Sequence, residues 1–239
     1  MSHIIVTGAT GLAGSAILQS ALSSPAISKV SILSRRPVPA AEGNPKASVI
    51  IHKDFTSYPP DLLSQLSGAS ACIWAQGISS MGMKEDEYTT ITKTYPLAAA
   101  EAFATLPGKF NFIYISGRGA NQEGNASQMF GRVKGAAEKA LLDLGSHRDG
   151  FSAYNLRPAG IDPGKKWTAE RKQGMIEKAF FAIAPAIKPF ASGLFTPVET
   201  LAEVSIKLAL GDGGKVNGDA VLPDGYTLEN PAIRRLGGL

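Results

Sequence analysis

Ile4-Ile5-Val6-Thr7-Gly8-Ala9-Thr10-Gly11-Leu12-Ala13-Gly14 begins as a β-branched apolar run and passes, through glycines spaced three apart, into a helix-compatible stretch. Each glycine has a separate use. Gly8 can take backbone angles closed to other residues, Gly11 lets the backbone approach a pyrophosphate, and Gly14 lets the new helix lie close to the sheet. A helix starting at Leu12 also turns its free N–H groups and the positive end of its dipole toward that anion. A glycine triplet elsewhere would be an ordinary turn. Between a first strand and a first helix it predicts a dinucleotide site, with Gly8, Thr10, Gly11, Leu12 and Gly14 as candidate cofactor contacts.

Outward from this turn, short apolar runs alternate with longer helix-compatible stretches, the pattern of parallel strands joined by crossover helices. Strands are predicted at 3–7, 29–34, 47–52, 70–75, 110–116, 151–157 and 219–222, and helices at 12–23, 60–66, 84–105, 128–144, 167–181 and 197–210. Segment 34–44 and the tail after Pro231 read as loops. Most strands are nearly continuous apolar runs, so both faces of the sheet should be covered. The expected fold is a three-layer αβα, doubly wound, mainly parallel sheet of about seven strands, in one domain spanning 1–239. Its functional residues should cluster at the carboxyl ends of the strands.

Composition sets limits. The 239 residues are 44% apolar and 18% charged, which suits one substantial core and excludes a disordered chain. The net charge of +4 is too small and dispersed to mark a nucleic-acid surface, and fits an anionic small molecule equally well. Cys72 sits alone in an apolar run, reads as an inert core thiol and points to a reducing compartment. The longest apolar run, 179–187, is too short to span a membrane and contains Pro185. With no basic, apolar leader before the first strand, the expected location is cytoplasmic. His3, His52 and His147 are scattered without ligand spacing, so a metal is not expected. The partners expected are a small-molecule substrate, no nucleic acid and no membrane, with the chain a monomer or homodimer.

The second strand ends in Ser34-Arg35-Arg36-Pro37 and offers no carboxylate to a ribose hydroxyl. Two guanidinium groups at that point suit a 2′-phosphate, so NADP(H) is expected over NAD(H), with Arg35 and Arg36 as its contacts.

Together these residues resemble the short-chain dehydrogenase/reductases, especially the atypical and extended, epimerase-like branches that open with T-G-x-x-G-x-x-G. The resemblance covers residues 4 to about 163. It implies that Asp54 and Phe55 lie near the adenine, that Ala75, Gln76 and Gly77 turn over the cofactor, and that Pro158 and Ile161, within Arg157-Pro158-Ala159-Gly160-Ile161, flank the nicotinamide. It also implies a catalytic serine, matched by Ser116, and a Y-x-x-x-K helix, in which Lys134 matches. Phe130 stands where that motif has tyrosine.

Phe130 and Lys134 are one helical turn apart and share a face. A phenylalanine has no proton to donate, and losing a positioned general acid costs on the order of a hundredfold to ten-thousandfold in rate. Three outcomes stay open: a substitute acid such as Ser116, a water or a side chain from 118–128; a non-redox reaction such as isomerisation, elimination or cyclisation; or a non-catalytic NADP(H) sensor or scaffold. Tyr114, inside a strand, reads as core. Gly131 and Gly135 predict close approach to their helix face, by a neighbouring helix or a second subunit more readily than by a ligand. A pocket-closing segment is expected at 161–195, where Lys165, Lys166, Arg171 and Lys172 form a basic cluster and 179–185 is apolar.

Overall fold

The computed structural model describes residues 1–164 and 192–239. Seven parallel strands form one sheet in the order β3-β2-β1-β4-β5-β6-β9, with β1 Ser2–Thr7, β2 Ile27–Ser34, β3 Ala47–Ile51, β4 Ala69–Trp74, β5 Phe110–Ile115, β6 Phe151–Arg157 and β9 Thr227–Glu229. The order reverses between β1 and β4, which is where a doubly wound sheet opens a crevice.

Period-two alternation divides the strand side chains between two buried layers. Ile4, Val6, Ile32 and Ile113 face helices α1 (Leu12–Ser23), α6 (Val198–Ala209) and α7 (Asn230–Leu236), whereas Ile5, Leu33, Trp74 and Phe112 face α2 (Pro60–Gln65), α4 (Tyr95–Phe103) and α5 (Met129–Ser146). Cys72 lies in the second layer, fully buried, and burial pushes its thiol pKa well up. This is the inert core thiol expected.

Three elements differ from the sequence reading. The stretch 219–222 is no sheet strand: Val221 makes a single antiparallel bridge to Leu228, and Thr227–Glu229 takes the edge position instead. The Asp224 carboxylate accepts from the amides of Tyr226 and Thr227, so the turn commits the later residues to β9. The tail after Pro231 is helical, because proline at the start of α7 loses no N–H that a helix would use. The stretch 84–105 is interrupted: α3 (Glu85–Thr89) and α4 are joined by a π-helical turn, Thr90–Thr94. Pro96 has no N–H to give Thr92 four residues back. The buried Tyr114 hydroxyl donates to the Thr92 carbonyl instead, at 2.9 Å, which confirms Tyr114 as a core residue.

A small second sheet pairs β7 (Gly160–Asp162) with β8 (Phe195–Pro197) and ties the exit of β6 to the start of α6. The predicted helix 167–181, the basic cluster and the apolar stretch 179–185 lie outside the described residues.

Candidate cofactor and substrate clefts

Gly8 adopts φ +67°, and a methyl group on it would come within 2.6 Å of the Gln76 amide nitrogen. A methyl on Gly14 would overlap the Gly8 carbonyl. Both positions therefore demand glycine, one to seat the turn against the end of β4 and the other to seat α1 on the turn. Gly11 caps α1 without a side-chain bond, no acidic residue occupies the first turn, and the amides of Leu12, Ala13 and Gly14 have no acceptor among the described residues. Unspent N–H groups at a helix start suit an anion.

A cleft of about 520 Å³ brings Gly8, Thr10, Gly11, Arg35, Arg36, Ala75, Gln76 and Gly77 together. Leu12 lines an adjoining cleft along α1. Arg36 is exposed and donates to the Thr10 hydroxyl at 3.2 Å, so its guanidinium reaches across from the end of β2 to the glycine turn. The cradle fits a dinucleotide. Of the pair after β3, the exposed Asp54 accepts from the Thr56 amide and hydroxyl, which holds its pKa below the usual carboxylate range. Phe55 corrects the expectation of a cofactor contact: its ring is fully buried, edge-on to Trp74 at 5.7 Å, and supports the cleft from beneath.

A second cleft, of about 570 Å³, opens at the ends of β5 and β6 and is lined by residues including Ser116, Gly117, Arg118, Phe130, Pro158, Ile161 and Leu194. Ser116 reaches it differently from the sequence expectation. By strand alternation it follows Phe112 and Tyr114 toward α5, where its hydroxyl donates to the fully buried Glu138 carboxylate at 2.5 Å. Glu138 also takes three bonds from the Arg157 side chain, at 2.5, 3.0 and 3.2 Å, and Arg157 turns its remaining nitrogen to Glu229 at 2.7 Å. Gln122 adds a bond from the following loop. The Ser116 hydroxyl proton is thus spent in a buried structural network, and Arg157 is its cationic centre.

Gly117 takes the place beside the cleft that Ser116 was expected to fill. A methyl there would sit 2.8 Å from Cζ of Phe130, so the ring occupies the space a side chain at 117 would need. Lys134 lies under the same ring, 5.5 Å from its centroid, and donates to the carbonyls of Ile115 and Ser116 at 3.1 and 2.6 Å. Burial lowers its pKa to about 8, partly opposed by the negative charge of Glu138. It lines neither cleft directly.

The close approach predicted at Gly131 and Gly135 is real, but its cause is a loop of the same chain and neither a helix nor a second subunit. A methyl on Gly131 would come within 2.5 Å of the Gly119 carbonyl, and one on Gly135 would overlap the Asn121 carbonyl. The Asn121 amide in turn donates to the Gly131 carbonyl at 3.0 Å. Glu138 was legible, since it lies one helical turn beyond Lys134 on the face that carries Phe130. Gly117 was legible only through the direction of Ser116.

No family model matches the chain. Among solved structures, an oxidoreductase of the short chain dehydrogenase/reductase family from Burkholderia thailandensis superposes with a TM-score of 0.68 at 16% identity, over 99% of this chain and 93% of that one. A UDP-N-acetylglucosamine 4-epimerase from Methanobrevibacter ruminantium gives 0.66 at 16%, over 95% and 84%. In sequence, botcinic acid biosynthesis cluster B protein 16 of Botryotinia fuckeliana is 35% identical over 60% of this chain and 98% of its own length. Protein fmp52, mitochondrial, of Aspergillus fumigatus is 32% identical over 70% of this chain and 69% of its own. These superpositions show that the chain has the fold of the short-chain dehydrogenase/reductases. In sequence it belongs to the fungal family of the botcinic acid cluster protein and Fmp52. Leucinostatins biosynthesis cluster protein T of Purpureocillium lilacinum is 36% identical over 80% of this chain, which spans 66% of that protein's length.

These relatives overturn the expected cytoplasmic location of the chain, because the Fmp52 proteins are named mitochondrial. A secretory leader is basic and apolar, and its pattern says nothing of other addresses. Among the described residues no helix is long and apolar enough to cross a membrane.

Proposed function

We propose that this protein binds NADP(H) at the glycine turn and acts on a small carbonyl or enone metabolite whose proton does not come from a tyrosine. One observation carries the cofactor: the glycine turn and the Arg36 guanidinium face one cleft, joined through Thr10. Backbone amides suit a pyrophosphate, and a planar guanidinium suits a ribose phosphate. The cofactor, when bound, supplies a hydride. The chain would hold the phosphates with the α1 amides and Arg36, while the ring of Phe130 and the side chain of Ile161 keep water from the reacting carbon.

The geometry narrows the source of the proton. Phe130 has none to give, and that of Ser116 is committed to Glu138. Among the described residues the loop 118–128 is left to supply it, beside a water or the substrate. The names of two relatives say of those proteins that they belong to biosynthesis clusters, which supports a metabolite substrate. A mitochondrial location belongs to the same proposal, supported by the Fmp52 names; fractionation of cells expressing the full chain tests it.

A second reading, a bound NADP(H) sensor without turnover, is favoured by the two polar positions together: residue 130 carries no phenol and the Ser116 hydroxyl is donated to Glu138. Calorimetric titration with NADPH and NADH, followed by NADPH absorbance against a panel of ketones and enones, separates the two. The enzyme reading expects preference for NADPH and consumption with at least one compound. Binding without consumption supports the sensor, and absence of binding overturns both.

A further inference from the structure

We propose that Arg118 is the substrate-recognition residue of the cleft at the ends of β5 and β6, and that the ligand it selects carries a carboxylate on an apolar body. The inference deepens the proposed function, and rests on it only in taking this cleft as the substrate side.

Other cations around the cleft are already engaged. Arg157 is enclosed between Glu138 and Glu229. Arg132 pairs with Glu85 at 2.9 Å and donates to the carbonyls of Ala126 and Ser127. Lys134 is held by two carbonyls beneath the Phe130 ring. Arg118 alone of these four lines the cleft, and its guanidinium forms no hydrogen bond or ion pair among the described residues.

Its backbone is nevertheless fixed. The Arg118 amide donates to the Pro158 carbonyl at 2.8 Å, the Ala120 amide closes a turn onto Gly117 at 3.1 Å, and Gly119 takes φ +92°. The chain therefore reverses just after Arg118, with the exposed side chain at the tip of a tethered turn. Arginine offers a planar fork of donors that matches a carboxylate and is more weakly hydrated than lysine. Beside it stand Phe130, Pro158, Ile161 and Leu194, an apolar wall, while the hydroxyl proton of Ser116 at the same cleft is donated to Glu138. Low-polarity walls strengthen a charge pair formed at their rim. A ligand with one anionic group and an apolar remainder satisfies both halves of the cleft. A neutral ligand would leave the guanidinium unused.

The test is binding of phenylpyruvate and of its methyl ester to the full chain, by calorimetry, with and without NADPH. The acid should bind about tenfold or more tightly than the ester, the ordinary worth of one charge-assisted bond pair. Arg118→Gln should erase that ratio while leaving the ester's affinity and the melting temperature unchanged, and Arg118→Lys should retain part of it. Equal affinities in the native chain, a ratio that survives Arg118→Gln, or no binding of either compound at millimolar concentration would each overturn the proposal. If NADPH fails to bind while the acid is still preferred through Arg118, the cofactor reading falls and this one stands.

Discussion

Gly117 and Phe130 share one space: the phenylalanine ring lies where a side chain on residue 117 would project, 2.8 Å from the position of its Cβ. A hydroxyl-bearing residue at 117 and the present ring position are mutually exclusive. Gly117→Ala should therefore destabilise the chain by about 1–3 kcal/mol through overpacking. Phe130→Ala in the same molecule should remove most of that penalty. Urea unfolding of the four members of the double-mutant cycle measures it, and additive losses would show that the two residues do not compete for space.

Phe130→Tyr restores a phenol above Lys134, whose ammonium lies 5.5 Å from the ring centroid. With NADPH present, carbonyl reduction should rise by about a hundredfold over the native chain, the lower end of what a positioned general acid supplies. An unchanged rate would mean that hydride transfer in this cleft is not limited by the proton.

The Lys134 ammonium has its pKa lowered from 10.5 to about 8 by burial. The unfolded chain binds this proton more tightly than the native one, so stability contributed by residue 134 rises as pH climbs from about 8 to about 10.5 and is lost as pH falls through 8. The difference in unfolding free energy between the native chain and Lys134→Met should grow across that window. A flat difference, or a lysine resonance that titrates above 10 by NMR, contradicts it.

Glu138 is fully buried and neutralises Arg157. Glu138→Ala leaves Arg157 with Glu229 alone and strips the Ser116 and Gln122 donors of their acceptor, and should cost about 3 kcal/mol. Glu138→Leu combined with Arg157→Met should recover a large part of it. Thermal and urea unfolding of both variants decides the matter; equal losses would mean that the carboxylate matters for something other than the guanidinium.

Arg36 reaches the glycine turn through Thr10. Arg36→Ala should weaken NADPH binding about tenfold or more, as loss of a charge-assisted pair does, while NADH binding stays within a factor of about two. Equal weakening of both nucleotides would assign the ribose phosphate elsewhere.

The glycine turn, the sheet and its two-sided burial were legible because each depends on local pattern: spacing of three among glycines, and apolar runs too continuous to face water on one side. That residue 130 is a phenylalanine with no proton to donate was equally plain. The direction of the Ser116 hydroxyl was not read, because a residue type at a strand end does not state it, although alternation from Phe112 and Tyr114 pointed it toward α5. The edge strand was missed because 219–222 is apolar enough to pair, and the turn at Asp224 decides which flank joins the sheet.

By itself, then, the sequence determined most of the segments that become strands and helices, where an anion can meet a helix start, and that residue 130 carries no phenol, since these follow from side-chain volume, backbone freedom and hydrogen-bonding capacity over a few neighbours. Only the tertiary structure decided that Ser116 and Arg157 serve a buried carboxylate, that Phe130 fills the space of Gly117, and that Arg118 faces the cleft. Those outcomes depend on which groups from distant segments arrive within about 3 Å of each other, where a buried charge must find its partner or not be buried at all.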